Sequence, residues 1–339
     1  MDVVSDVLRA VRLSGVVVFH TELTAPWGLA VPPASALAPA FGLGSRRLIP
    51  FHAVAAGGCV SVAAADSPSD SPMEARRRDS PMEARRDSPI ESLVAGDVVM
   101  YPQGDAHVLA SDASVVPTPV GGLLPPLTAE QLAVVKHGGG GALTRLVCGF
   151  VHCDAAVFDP LSAGLPRVLC GRSDGPSTLH GLLQLALSEA AAPRAGTTTL
   201  LTRLTELMFV EVLRGFIEAL PPEQTGWFAG LRDPYVGRAL QQLHAAPDRD
   251  WTVEALGRAV GLSRSALVER FSALVGQPPM TYLTNWRIQL ATQLLRDSHA
   301  SVAAIGARVG YASEAAFNRA FRRAVGLPPA TWRRQAGRA

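Results

Sequence analysis

What the chain lacks narrows it first. Its 339 residues contain no unbroken apolar stretch long enough for a transmembrane helix, which needs about 20 apolar residues. The start, Met1-Asp2-Val3-Val4-Ser5-Asp6, is acidic and polar rather than basic and then apolar, so no signal peptide is expected. There are only 4 cysteines, Cys59, Cys148, Cys153 and Cys170, too few to staple so long a chain, and a disulfide framework is not expected. The expected location is the cytoplasm. Lysine is absent from Arg249 to the end, where every strong base is an arginine.

That last stretch is also where the charge collects. Residues 249–339 carry 13 arginines against 5 acids, a net of +8, whereas residues 1–248 carry 18 bases and 24 acids, a net of −6, which together give the +2 of the whole chain. A near-neutral protein with its positive excess in one terminal segment has the electrostatic footprint of a nucleic-acid-binding module. A small helical bundle with a solvated basic face would carry the same charge, so the pattern of the residues has to decide.

The pattern is a repeat. One copy holds Val253, Leu256, Gly257, Val260, Gly261, Ser263, Phe271, Gly276, Pro278, Pro279, Thr281 and Tyr282. The other holds Val302, Ile305, Gly306, Val309, Gly310, Ser313, Phe321, Gly326, Pro328, Pro329, Thr331 and Trp332. A unit used twice is the simplest reading of such self-similarity. Thr252 and Ser301 are placed to cap the first helix of each copy, and Ser263 and Ser313 the second. Gly261 suits a left-handed helix end. Val253, Leu256 and Val260 make one apolar stripe, Leu267, Phe271 and Leu274 another, with Phe317, Ala320 and Phe321 their counterparts in the second copy. This is helix-turn-helix grammar, in which the second helix enters the major groove. Pro279 to about Leu295 reads as one helix joining the copies, buried through Leu283, Trp286, Leu290 and Leu294. At about 25 Å it would set the two reading helices near one duplex turn apart, about 34 Å.

Residues 235–336 resemble the DNA-binding domain of AraC/XylS-type transcription regulators. The resemblance is carried by Gly310-Tyr311-Ala312-Ser313-Glu314-Ala315-Ala316-Phe317-Asn318-Arg319-Ala320-Phe321-Arg322-Arg323 with Gly326, Pro328-Pro329 and Trp332-Arg333, by Tyr282-Leu283-Thr284-Asn285-Trp286-Arg287, and by Trp251-Thr252-Val253. It implies base readers near the start of each second helix, on the face away from the core: Arg264, Ser265, Val268 and Glu269 in the first copy, Glu314, Ala315, Asn318, Arg319 and Arg322 in the second. Arginine reads guanine and asparagine reads adenine, and Arg319 aligns with a position that often contacts DNA in the family. Glu269 stands where members often carry Arg or Gln; a glutamate accepts a bond from cytosine instead. Arg322, Arg323, Arg333 and Arg334 are expected as phosphate contacts or solvated charges.

The region 1–175 reads as short strands between Gly/Pro turns: Val16–His20, Arg47–Val54, Gly58–Val62, Asp97–Pro102 and Leu143–Val151. That rhythm favours a β-barrel or jelly roll. Ala95-Gly96-Asp97-Val98-Val99-Met100-Tyr101-Pro102-Gln103-Gly104-Asp105-Ala106-His107 resembles the second motif of cupin barrels. With Thr24-Ala25-Pro26-Trp27-Gly28 and Leu146-Val147-Cys148-Gly149, it resembles the cupin sensor domain of one AraC subfamily. The first cupin motif, near Phe51-His52, lacks its His-x-His pair and glutamate, so His52 and His107 are only weak metal candidates. No cofactor and no catalytic residue is expected. The alternative is a cupin-type metal-dependent enzyme with a helical appendage.

Cys148, His152 and Cys153 lie close in sequence; Cys148 and His152 would share a strand face. Cys148 and Cys153 are therefore redox candidates, against the reading of Cys148 as a small buried core residue. Residues 66–89 hold a low-complexity tandem duplication, Asp70 to Arg78 repeated as Asp79 to Arg86, expected as a disordered loop insertion. Residues 176–231 read as a helical linker, with stripes Leu179, Leu182, Leu183, Leu187 and Leu200, Leu201, Leu204, Leu207, Met208, Val212, Leu213, Phe216 that serve core packing or pairing with a second copy as a homodimer. The expected whole is a multidomain protein: an N-terminal cupin-like barrel with helices, then an all-α double helix-turn-helix domain. It would couple a small-molecule or redox effector to binding of double-stranded promoter DNA, with RNA polymerase as a further partner.

Overall fold

The structure, a computed structural model, describes residues 2–11, 13–41, 47–63, 90–123, 133–153, 164–172, 175, 177–221 and 223–336. Contacts divide it into a sheet-bearing unit, Leu13–Asp154 with Leu165–Glu218, and a helical unit made chiefly of Ala219–Ala339 together with Met1–Arg12. The tandem duplication at 66–89 lies outside the described residues.

The chain opens with α1 (Val3–Ala10), capped by Asp2, whose carboxylate accepts from the Val4 amide. The sheet-bearing unit follows. Its elements are β1 (Ser14–Thr24), β2 (Gly28–Val31), the short α2 (Ala34–Leu37), β3 (Arg47–Ala56), β4 (Gly58–Ala63), β5 (Ile90–Val94), β6 (Val98–Met100), β7 (His107–Ala110), β8 (Thr118–Pro119), β9 (Ala133–Gly138), β10 (Leu143–Cys153) and β11 (Leu169–Gly171), then α3 (Thr178–Ala191) and α4 (Thr197–Ala219). The strands form two sheets, in the orders β11-β6-β3-β10-β1-β9 and β5-β4-β7-β2-β8. Among the described residues both sheets are open: of the expected β-barrel or jelly roll, the sheet-rich domain stands and the barrel wording is corrected. Alternating apolar residues announce strands, but closure depends on which edges bond, and here the rows end at β11 and β9 and at β5 and β8. A single core lies between the sheets: Phe19, Leu23, Leu48, Val54, Leu146 and Phe150 of one meet Leu29, Cys59, Leu93 and Leu109 of the other. β4 and β5 pair from Gly58↔Val94 to Val62↔Ile90, so the described flanks of the duplicated segment are neighbours.

The helical unit contains α5 (Trp227–Arg232), α6 (Val236–Ala245), α7 (Val253–Val260), α8 (Arg264–Val275), α9 (Pro279–Asp297), α10 (Val302–Arg308), α11 (Glu314–Val325) and α12 (Pro329–Ala336). The four expected caps all form. Thr252 Oγ1 accepts from the Ala255 amide, and the Ser263, Ser301 and Ser313 hydroxyls accept from Ala266, Ala304 and Ala316. Gly261 ends α7 at φ 82°, a conformation an L side chain resists. The 19 residues of α9 span about 28 Å. Its Tyr282, Leu283 and Trp286 are buried toward the first copy's side of the unit. Ile288, Ala291 and Leu295 join Ile305, Val309, Phe317 and Phe321 in the core of the second, where Leu290 and Leu294 are only partly buried.

Helix α1 packs in this unit, against α6 and α9, although the sequence placed residue 1 at the start of the sheet domain. Val3, Val7 and Ala10 are buried, and the Gln289 amide donates to the Ala10 carbonyl at 3.1 Å. Beneath α1, Trp227 Nε1 donates to the Tyr282 hydroxyl at 3.1 Å, which lies 2.8 Å from His244 Nε2. Trp286 stacks on His244, and burial pulls the His244 pKa down to about 3. Trp227 and Phe228 are buried here, in a stretch read from sequence as linker. No helix among the described residues is long and apolar enough to cross a membrane.

Candidate nucleic-acid interface and pocket of the sheet-bearing unit

In each copy one face of the second helix is fixed by the core. Leu267 and Phe271 of α8 and Phe317 and Phe321 of α11 are fully buried. The 3.6-residue period then turns the intervening positions outward. Arg264, Ser265 and Glu269 of α8 are exposed and Val268 is half-buried; Glu314, Ala315, Arg319 and Arg322 of α11 are exposed and Asn318 is half-buried. The residues expected to read bases thus share the solvent face of their helices, most of them in the first two turns behind the capped N-termini and Arg322 in the last turn of α11.

The copies differ in how their charges are used. In the first, Arg264 pairs with Glu254 at 3.0 Å. Arg270 holds Asp233 through Nε and Nη2 at 2.8 and 2.5 Å. Partial burial works against the Asp233 carboxylate, but the Arg270 hydrogen bonds and the amides of Val236 and Tyr235 outweigh it and hold the pKa below the ordinary range. In the second copy, among the described residues, no acid pairs with Arg319, Arg322 or Arg323. Arg333, expected as a phosphate contact or a solvated charge, instead donates to the Leu295 and Ala300 carbonyls. Leu295 lies in the last turn of α9, which leaves its carbonyl open, and Ala300 lies in the loop beyond; one guanidinium satisfies both. Arg287 does the same for Pro247 and Arg249.

The sheet-bearing unit gathers a different set. Strand register sets Cys148 of β10 directly opposite His52 of β3, so their side chains meet on one face. His52 Nδ1 is 3.0 Å from Cys148 Sγ, and His52 Nε2 is 2.8 Å from His107 Nε2. His107 Nδ1 is 2.9 Å from the Asp105 carbonyl. A carbonyl only accepts, so His107 carries its proton on Nδ1 and offers Nε2 as an acceptor. His52 must then donate from Nε2 and accept at Nδ1, which leaves the Cys148 thiol as the donor. The line runs one way: thiol to His52, His52 to His107, His107 to backbone. All three side chains are buried. Burial, reinforced by His107, pulls His52 well below its usual range; burial pulls His107 down to about 4 and pushes the Cys148 thiol up. Tyr101 stacks on His107 with ring centroids 3.6 Å apart, and Arg167 holds the Asp105 carboxylate at 2.9 Å.

This geometry does not fit a metal. The facing Nε2 atoms are at hydrogen-bond separation, each using the lone pair or proton a metal would displace. Cys148 lies on the opposite edge of His52. Among the described residues no three His, Cys, Asp or Glu side chains converge on one point. The local group Cys148, His152, Cys153 is not what assembles either: the partner of Cys148 is across the sheet. Cys148 and Cys153 are both buried, an environment that opposes the exposed thiolate a redox switch requires. Sequence reading named His52, His107 and Cys148 but could not join them, because the join depends on the β3–β10 register.

His52 and Cys148 line a small pocket of about 20 Å³ whose remaining walls are Phe19, Val31, Leu37, Pro50, Val120, Phe150 and Gly149. Gly149 is required there: a Cβ would lie 2.2 Å from the Val16 carbonyl oxygen and 2.7 Å from the Phe51 ring.

Two family descriptions match the chain. Residues 2–218 match the family described as Cupin, and residues 256–335 match one described as Helix-turn-helix domain. An AraC-like transcription regulator of Streptomyces lividans is 36% identical over 250 residues, 73% of this chain and 81% of the relative. The transcriptional regulator AlkR of Acinetobacter baylyi is 29% identical over 255 residues, 74% of this chain and 83% of its own. A solved structure of the DNA-binding domain of AdpA, a global transcriptional factor, with its target DNA is 30% identical, covers 30% of this chain and 92% of that one, and has a TM-score of 0.30.

Proposed function

The chain belongs to the AraC-like family of helix-turn-helix transcription regulators with an amino-terminal cupin domain, a family of regulators and not of enzymes, and from that premise we propose how its own residues work. The double helix-turn-helix unit binds double-stranded promoter DNA in sequence-specific fashion, with α8 and α11 as reading helices. The observation that carries this is α11: Asn318, Arg319 and Arg322 stand on one outward face behind a Ser313-capped N-terminus, with no acid paired to either arginine among the described residues. Asn318 and Arg319 are the base readers of the second copy; Arg322 and Arg323 hold phosphate. Arg264, Ser265, Val268 and Glu269 face a neighbouring stretch of groove, and α9 spaces the two helices. In this reading the protein works in the cytoplasm, where promoter DNA and RNA polymerase are.

The sheet-bearing unit is the sensor, and its ligand pocket is the one closed by Phe19, Leu37, His52, Cys148 and Phe150. Occupancy shifts the population between arrangements of the reading helices that differ in DNA affinity. Leu185 and Leu207, exposed on α3 and α4, are the face offered to a second copy in a homodimer.

Selection of genomic fragments by the purified chain, followed by binding across a salt series, tests the DNA half. The expected result is a recurrent motif with two half-sites about one turn apart and an affinity that falls steeply with salt. Binding without sequence preference, with or without cell extract of small molecules, would overturn it.

A further inference from the structure

The two arginines of α8 are both drawn to acids outside that helix. Arg264 reaches Glu254 of α7 at 3.0 Å. Arg270 holds Asp233, and its guanidinium lies over the Tyr235 ring, 5.3 Å from the centroid. Glu269 is exposed, and no cation pairs with it among the described residues. The helix positions that meet it, three and four residues away, are Ser265, Ala266, Ser272 and Ala273. None carries a charge, so no neighbour on the helix neutralises the carboxylate. Leu267 and Phe271, both fully buried, hold this face outward. What α8 presents there is a hydroxyl from Ser265, the methyls of Val268 and a bare carboxylate. The equivalent positions of α11 present Ala315, Asn318 and Arg319.

We infer that α8 reads a cytosine through Glu269 and an adjacent thymine through Val268, so that the half-site of the first copy is the chemical opposite of the purines read by Asn318 and Arg319. The inference deepens the DNA half of the proposed function and rests on that reading. In the major groove cytosine shows its N4 amino donor, and thymine an O4 acceptor with the C5 methyl. Guanine shows the N7 and O6 acceptors, and adenine an N6 donor beside its N7 acceptor. An ionised carboxylate only accepts. Facing cytosine, Glu269 takes an amino hydrogen. Facing guanine or thymine it meets lone pairs, and facing adenine it gains one bond beside one repulsive contact.

Discrimination here comes as much from rejection as from attraction. Entry into the groove strips water from the carboxylate and brings it among phosphates. A base without an amino group leaves that cost unmet, because an acceptor facing an acceptor stays unsatisfied. Arg319, at the equivalent place in α11, has the reverse preference: its donors suit the acceptors of guanine. Val268 adds the second contact. It precedes Glu269 in the chain, and successive bases of one strand lie about 3.4 Å apart, so the two side chains reach neighbouring bases. Its half-buried methyls suit the C5 methyl of thymine and offer nothing to an exocyclic oxygen or amine.

The test selects binders for the full chain from a pool of random duplexes, with wild type and Glu269→Gln in parallel, and sequences what is retained. Wild type should return a motif with a fixed cytosine beside a thymine in one half and purines in the other. Glutamine both donates and accepts, so Glu269→Gln should change that cytosine to adenine and leave the purine half as it was. On the best duplex, replacing the C·G pair by T·A should weaken wild type about tenfold. A third arm needs no variant: replacing the adjacent thymine by uracil, which deletes only the methyl, should weaken wild type about threefold. Val268→Ala should erase that difference. A motif that Glu269→Gln leaves unchanged at every position would overturn the inference while the DNA reading stands. Failure of wild type to return any motif would overturn the DNA reading and this inference together, so the two failures are distinct results.

Discussion

The two helix-turn-helix copies share one packing plan and spend their arginines differently. Thr252 and Ser301, Ser263 and Ser313, Gly276 and Gly326 are equivalent caps and helix ends. Phe271 and Phe321 are equivalent anchors, each fully buried. Yet the first copy turns Arg264 onto its own Glu254 and Arg270 onto Asp233, which precedes α6, and adds Glu269 to the exposed face. The second leaves Arg319, Arg322 and Arg323 without an acidic partner among the described residues. Core positions are held by close packing, where a changed volume is felt at once. Outward positions are free to diverge, so the copies can fold alike and meet DNA unequally.

The largest effects should fall on what is shared. Phe271→Ala and Phe321→Ala each remove a buried ring and should each cost about 3–5 kcal/mol of stability, measured by denaturant unfolding of the full chain. A loss confined to one copy would show that the packing plan is not equivalent. Next come the outward residues, where the copies should part. Arg319→Ala should cost about 1–3 kcal/mol of specific DNA affinity, and Arg322→Ala should lower the salt slope by about one without changing sequence preference. Arg264→Ala should cost less than Arg319→Ala, about 1 kcal/mol at most, since contact with DNA has to compete with its exposed pair to Glu254. Equal losses from Arg319→Ala and Arg264→Ala would erase the distinction. A smaller change in the opposite direction belongs to Glu269→Gln: removing an acid from the face toward phosphate should raise non-specific duplex affinity a few-fold at low salt, and the gain should fade as screening rises.

Much of the helical unit was legible because local rules and tertiary packing agree there. Each cap residue sits one place before its helix, and the apolar stripe predicts Leu267, Phe271, Phe317 and Phe321 as core. The long connecting helix was read with the right start at Pro279. Its buried face was only half right, because α9 serves two cores, and Ile288, Ala291 and Leu295 lie on the side that the stripe through Leu290 and Leu294 left out. The Trp227–Tyr282–His244 group was missed, since nothing local in a Gly-Trp-Phe sequence says that an indole N–H will meet a tyrosine 55 residues away. In the sheet-bearing unit β1, β3, β4, β6 and β10 were legible, and β2, β5, β7, β8, β9 and β11 were not. Openness of the sheets depends on edge bonding that no local pattern encodes. The pocket followed the same rule: His52 and Cys148 on its wall and His107 behind them carry chemistry that could be named, but their alignment is a property of register.

The finest test of the comparison is electrostatic and lies in the first copy. If Arg270 is there to hold Asp233, and not to meet DNA, its contribution should appear in stability and vary with pH in a definite direction. The folded Asp233 carboxyl is held below its ordinary range by Arg270 and two amides, against the opposing effect of partial burial. A group with a depressed folded pKa stabilises the fold above its unfolded value, about 3.9, and loses that contribution as pH falls through the folded value. Asp233→Asn should therefore cost about 1 kcal/mol at neutral pH, because Asn still accepts from the Tyr235 and Val236 amides but no longer binds a cation strongly. From pH about 4 downward, and fully only below the folded value, the wild type loses the same interaction, so the two unfolding curves should converge over that range. The counterpart in the second copy has no carboxylate to titrate at that place, since Arg319, Arg322 and Arg323 lack one among the described residues. A gap between wild type and Asp233→Asn that stays constant down to acid pH would mean that the ion pair contributes nothing. Arg270 would then be as free for phosphate as the arginines of α11, and the two copies would be alike in charge as well as in packing.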